Sequence, residues 1–128
     1  MSQQPTILIA DDESHIVHIL KTKFCSAGYD VIVARDGAEA LALCQQHRPI
    51  LAITDLNMPG TDGLAFAQGL AADPETHAIP VIMLTGRGHT LTDQQRASTN
   101  IRHLESKPFS ARQLLAVVQH LTDASAAA

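Results

Sequence analysis

The sequence predicts an α/β fold, a doubly wound, five-stranded parallel sheet with helices on both faces. Three observations carry that prediction. Five short apolar runs alternate with five helical patterns along the chain, and such alternation builds strand–helix–strand units. Most of the runs are apolar on both faces, as strands covered from both sides are. The chain has 128 residues, 45% of them hydrophobic, which suffices for one domain with a real core and leaves no room for a second of ordinary size.

Each element has its own justification. The first strand is Thr6–Ala10, β-branched and apolar throughout. The following helix places Ile16, Ile19, Leu20, Phe24 and Ala27 on one face at three- and four-residue spacing, and Gly28 supplies the stop. Residues 30–34 form the second strand. Asp36 with Glu39 has capping-box character ahead of Ala38, Leu41 and Ala42. Residues 50–54 read as the third strand, and Asp62 caps a helix through Leu64, Ala67 and Leu70 that ends at Asp73 and Pro74. Residues 80–84 read as the fourth strand, and Thr92 to Thr99 as the loosest helix. The fifth strand, around Arg102–Glu105, is more polar and reads as an edge. Ser110 with Gln113 opens a last helix carrying Leu114, Leu115, Val118 and Leu121. The expected core runs from about residue 6 to 121, within a single domain of residues 1–128, and residues 122–128 are expected to fray.

Composition excludes several function classes. The formal charge is −4, the wrong sign for unaided affinity to phosphate backbones, so no direct nucleic-acid partner is expected. Aromatic residues make up 3% of the chain, with no Trp, so a base-stacking platform is not expected either. No apolar run is long enough to span a bilayer, and the amino terminus lacks a signal peptide's pattern. No membrane insertion and a cytoplasmic location follow as expectations. Cys25 and Cys44 lie outside any CxxC pair and read as buried, reduced thiols.

The chemistry sits where the strands end. The first strand runs into Asp11-Asp12-Glu13, the third into Asp55, the fourth into Thr85 and the fifth into Lys107-Pro108. In an open parallel sheet these carboxyl ends line the ligand crevice. Close carboxylates repel one another unless a proton or a cation intervenes, and a hard divalent ion such as Mg2+ takes oxygen ligands of this kind. A metal-neutralised carboxylate can act as a nucleophile toward a phosphoryl group, whose oxygens then need a positive charge, offered by Lys107, and a donor, offered by Thr85. Taken singly, each piece has an ordinary reading as a helix cap, turn chemistry or a solvated side chain. The conjunction carries the argument, because four accidents at the same end of four strands are far rarer than one site.

On these residues the sequence resembles the receiver domain of bacterial response regulators, the phosphoacceptor half of two-component signalling. The matching pieces are Asp11-Asp12, Asp55 within Asp-Leu-Asn-Met-Pro-Gly-Thr-Asp-Gly, the run from Pro80 to Thr85, and Lys107-Pro108-Phe109. The resemblance covers about residues 7–121. It implies a flavodoxin-like fold of five βα units with strand order 2-1-3-4-5. It also implies Asp55 as phosphoacceptor, with Thr85 bonding the phosphoryl group and Lys107 pairing with it. Asp12, Asp55 and the Asn57 carbonyl would ligate Mg2+, with Asp11 acting largely through water. Asn57 and Arg87 match positions that influence the phosphoryl lifetime, and a cis bond is expected before Pro108. The donor would be a phosphohistidine on a sensor histidine kinase or histidine phosphotransfer protein, and the output a contact with another protein. The chain would have no external product, only intrinsic Mg-dependent self-phosphorylation and autodephosphorylation.

Two departures stand out. The position three before the lysine, usually aromatic in the family, is Leu104, with His103 beside it; the usual aromatic readout is therefore in question. Ile50 replaces an acid often found before the third strand, a change expected to be neutral. His15 and His18 lie one turn apart without a third ligand nearby in sequence, and read as solvated or partly buried side chains. Arg87, Arg96, Arg102 and Arg112 gather toward the fourth helix and last strand, an output face or an ordinary solvated surface. The rival readings are a Mg2+-dependent phosphohydrolase, which wants its nucleophile after the first strand, and a flavin-binding protein, whose phosphate the acidic first loop would repel. A receiver-like interaction module with impaired switching is the third. If the chain is complete, its signal must leave through protein contact.

Overall fold

The computed structural model describes residues 4–58, 60–86 and 91–127. Ten elements alternate along the chain: β1 (Thr6–Ala10), α1 (Ser14–Ser26), β2 (Asp30–Ala34), α2 (Gly37–His47), β3 (Leu51–Asp55), α3 (Gly63–Ala72), β4 (Val81–Thr85), α4 (Asp93–Ala97), β5 (Ile101–Ser106) and α5 (Ala111–Ala127). The five strands are parallel, in the order β2-β1-β3-β4-β5. The doubly wound, flavodoxin-like arrangement is thus as expected, with β5 at an edge.

Alternation along each strand divides the core into two layers. Ile7, Ile9, Leu51, Ile53, Ile82 and Leu84 face α1 and α5, where they meet Leu20, Phe24, Leu114 and Val118. Leu8, Ala10, Ala52, Val81 and Met83 face the other way, onto Ala40 and Cys44 of α2 and Phe66, Ala67 and Leu70 of α3. Phe24 and Phe66 are fully buried, each worth about 1.5–3 kcal/mol of transfer free energy. A register shift between Val81 and Ile82 opposite β5 puts both Ile101 and Leu104 against the α2–α3 layer.

The caps follow the sequence. Asp36 accepts from the Glu39 amide at 2.8 Å, and Glu39 reaches back to the Arg35 amide at 2.7 Å. Asp62 caps α3 through the Ala65 amide at 2.8 Å, and Thr92 with Gln95 forms a reciprocal box at α4. Gly28, at φ +98°, lets the Tyr29 amide turn back to the Phe24 carbonyl and close α1.

The structure corrects several details. Ile19 was expected on the buried face of α1 but is 51% exposed; Leu20 and Phe24 occupy the inward line, and Ile19 lies one helical step off it. Cys25 is exposed for the same reason, one step beyond Phe24, whereas Cys44 is buried. Burial pushes the Cys44 thiol up to about 12, which removes thiolate reactivity. β3 and β4 each begin and end one residue later than the apolar runs suggested, so Asp55 and Thr85 close their strands from within. The last helix, α5, runs from Ala111 to Ala127.

Candidate functional site

The carboxyl ends of β1, β3, β4 and β5 bring the predicted residues to one edge of the sheet. Asp55 is the last residue of β3 and pairs in register with Leu84; Thr85, the next residue of β4, pairs with Ser106, directly before Lys107. The Lys107 amide donates to the Thr85 carbonyl at 2.8 Å, which aims the chain after β5 back toward β3. The Lys107–Pro108 peptide is cis, as expected.

Asp11, Asp12 and Asp55 each contribute a carboxylate oxygen to a cluster in which all three lie within 4.8 Å of one another. Asp11 is fully buried and Asp55 is 5% exposed, whereas Asp12 faces solvent. Two backbone amides stabilise the acids: Glu13 donates to Asp11 at 2.9 Å, and Asn57 to Asp55 at 3.3 Å. The Lys107 ammonium lies 3.4 Å from Asp11 Oδ2, 3.3 Å from Asp55 Oδ2 and 2.8 Å from Glu13 Oε1. Thr85 is buried and Asn57 exposed at the same edge. Thus Asp11, Asp12, Asp55 and Lys107 converge by direct geometry, and Thr85 and Asn57 by register and backbone. Arg87 lies outside the described residues.

The electrostatics report an under-neutralised cluster. Burial raises the Asp11 carboxyl above its ordinary range; the Glu13 amide partly offsets this, and the neighbouring Asp55 charge adds to it. Burial works against the Lys107 ammonium, yet its hydrogen bond to Glu13 and the charges of Asp11 and Asp55 outweigh that and raise its pKa. Glu13 is lowered by its hydrogen bond to Lys107. Three carboxylate oxygens, one of them from a solvent-facing residue, suit a hard divalent cation that keeps several waters. The residues therefore fit Mg2+, and among the described residues no other group of His, Cys, Asp and Glu has comparable geometry. His15 and His18 are exposed and outside the cluster.

Two supports were missed from sequence. A Cβ on Gly63 would collide with the Asp55 carbonyl oxygen and lie 3.0 Å from the Leu56 Cα, and the Gly63 amide donates to the Leu56 carbonyl at 2.9 Å. Only glycine lets α3 start this close to the end of β3. The glycine after the Asp62 cap was the available signal, but its reason is a tertiary contact. The second is Glu13, whose side chain makes no helix-capping bond and turns to Lys107 instead. Its place beside Asp12 was visible, its partner 94 residues away was not.

Comparison with known proteins agrees with this arrangement. The family model for the response regulator receiver domain matches residues 7–119. The chain is 38% identical over 117 residues to the DNA-binding dual master transcriptional regulator RpaA of Synechocystis sp., covering 91% of this chain and 48% of that protein. It is 36% identical over 111 residues to the phosphate regulon transcriptional regulatory protein PhoB of Pseudomonas aeruginosa, covering 87% and 48%. The chain thus spans about half the length of the curated relatives it matches. Among solved structures, the chemotaxis response regulator CheY4 of Vibrio cholerae superposes with a TM-score of 0.83 at 30% identity, over 92% of this chain and 98% of that one. The receiver domain of a Pseudomonas aeruginosa sensor histidine kinase shares the fold, with a TM-score of 0.83 at 21% identity over 94% and 98%; that structure has a magnesium ion coordinated in its active-site cleft. The match over nearly the whole chain leads to one conclusion: this chain belongs to the response regulator receiver domain family of two-component signalling.

Proposed function

We propose that Asp55 accepts a phosphoryl group from a phosphohistidine on a sensor histidine kinase or histidine phosphotransfer protein. The observation that carries this reading is the cluster of Asp11, Asp12 and Asp55 oxygens within 4.8 Å, closed by Lys107 at 3.3 and 3.4 Å. An Asp55 carboxylate oxygen attacks phosphorus, the P–O bond forms as the donor's P–N bond breaks, and the departing imidazole recovers a proton. Lys107 moves its charge onto the new phosphoryl oxygens, and Thr85 donates its hydroxyl to one of them. Asp12, Asp55 and the Asn57 carbonyl would hold Mg2+, with Asp11 acting largely through water, and the ion would supply charge that lowers the repulsion between incoming phosphoryl oxygens and the acids. Hydrolysis of the acyl phosphate by water restores the carboxylate and releases inorganic phosphate, so the chain is a timed switch whose chemistry acts on its own Asp55.

Replacing one carboxylate by a larger anion biases the surface that another protein reads. With a formal charge of −4, this chain offers nucleic acid no general electrostatic attraction, and its direct target is taken to be a protein surface. Among the described residues no helix is long and apolar enough to cross a membrane, and the cytoplasm is the compartment this reading implies.

Incubation with Mg2+ and acetyl phosphate tests the proposal. The expected result is one added phosphoryl group by intact mass, abolished in Asp55→Asn and by chelation of the metal. An unmodified mass would sink the switch and leave a receiver-like interaction module.

A further inference from the structure

Glu13 occupies the residue before α1, a position where short side chains such as Asp or Ser accept from the helix's first free amides and the longer glutamate has no such preference. It makes no such bond. Its carboxylate instead holds the Lys107 ammonium at 2.8 Å, a shorter contact than the 3.3 and 3.4 Å to Asp55 and Asp11. The three acids therefore divide one cation, and the one outside the metal cluster has the shortest contact. The Glu13 side chain is 45% exposed and that of Lys107 20%, so the pair is part-hydrated and weak enough to be exchanged. The two side chains also line one groove with Ile16, Ile19 and Phe109, an open setting in which the lysine can swing.

We propose that Glu13 is a positioning residue that tethers Lys107 in the unphosphorylated chain, so that a phosphoryl group on Asp55 must take the lysine from it. The inference rests on the reading of Asp55 as phosphoacceptor and adds a restraint to that site. The Glu13 side chain acts through Lys107 and is not one of the clustered carboxylates; only its backbone amide meets the cluster, at Asp11. The tether stabilises the resting position of the ammonium. Removing the tether speeds phosphorylation and strengthens binding of a phosphoryl mimic, by roughly two- to fivefold for a part-exposed ion pair.

The experiment compares wild type, Glu13→Gln and Glu13→Asp at saturating Mg2+, reading the initial rate with acetyl phosphate and the affinity for beryllofluoride. It repeats the Glu13→Gln change in a Lys107→Ala background. Glu13→Asp keeps the charge but shortens the reach, so a tether predicts that it gains like Glu13→Gln, and that the gain vanishes without Lys107. A second readout needs no phosphoryl chemistry: the Lys107 ammonium signal by NMR, without metal, is restrained in wild type and becomes mobile in both variants. Glu13→Asp behaving like wild type, a gain that survives Lys107→Ala, or an unchanged ammonium signal each overturns the tether. A wild type that phosphorylates while Glu13→Gln is no faster removes the tether alone. A wild type that takes no phosphoryl group removes the parent reading and the tether with it.

Discussion

At the ends of β1 and β3, Asp11 and Asp55 are 0% and 5% exposed and held by amides two residues further along the chain. At the β5 edge of the sheet, α4 spans five residues and buries none of them. β5 there is irregularly paired with β4, and Leu104 is only partly buried against the core. The first region is over-determined, since strand ladders, backbone amides, the Lys107 contacts and the close approach of Gly63 all position the same carboxylates. In the second, the short α4 carries no buried side chain, the physical signature of a segment that rearranges at low cost, although β5 itself is laddered to β4 along Val81–Thr85. Under the proposed function the stiff corner would carry the chemistry and the segment around α4 its consequences.

Three changes break or sharpen that contrast. Gly63→Ala has the largest expected effect, because the added carbon meets backbone of Asp55 and Leu56 that cannot yield. It should cost about 1–3 kcal/mol, seen as a lower Tm, and slow acetyl phosphate labelling by one to two orders of magnitude, roughly, as Asp55 is displaced. Labelling at the wild-type rate would show that the corner is less rigid than its contacts imply.

Asp11→Asn should move stability the other way. Because burial holds the Asp11 carboxyl above its ordinary range, the folded chain keeps that proton to higher pH than the unfolded chain does. Without metal, stability therefore falls as pH rises from the ordinary carboxylate range through the raised value, and the full penalty stands at neutral pH. The amide isostere removes the penalty and should raise Tm by roughly 4 °C at neutral pH in chelator, on the order of 1 kcal/mol. The same variant should bind Mg2+ more weakly, and a lower Tm would show that its contact with Lys107 outweighs burial.

The smallest effect on chemistry is expected from Leu104→Tyr, which enlarges a partly buried side chain at the loose edge. Phosphorylation should stay within about twofold of wild type, while hydrogen exchange across α4 and β5 responds differently to beryllofluoride. Equal losses in both readouts would deny the β5 edge a separate role.

Much of this was legible in order along the chain. Both-face apolarity marked the buried strands, Asp36, Asp62 and Thr92 announced helix starts, and Asp11, Asp12, Asp55, Thr85 and Lys107 each followed or closed an apolar run. Asp55 and Thr85 were assigned just past their strands and in fact close them, because apolar patterning marks burial and the ladder extends to polar residues that pair through backbone alone. Ile19 misled for a related reason: three- and four-residue spacing defines a broad stripe, and only packing against α5 decides which of its rows is covered.

By itself the sequence determined the alternation of elements, their caps and the set of acids, hydroxyl and ammonium available for chemistry, since these depend on side-chain type and short-range periodicity. The tertiary structure alone decided that Lys107 is divided among Glu13, Asp55 and Asp11, that Gly63 has to be small, and that Leu104 turns onto the α2–α3 layer. Those facts arise from contacts between residues distant in sequence, or from a register irregularity, and local pattern carries no information about either. The acidic composition illustrates the division. A charge of −4 is read from the chain, but the gathering of Asp11, Asp12 and Asp55 within 4.8 Å is a property of strand order.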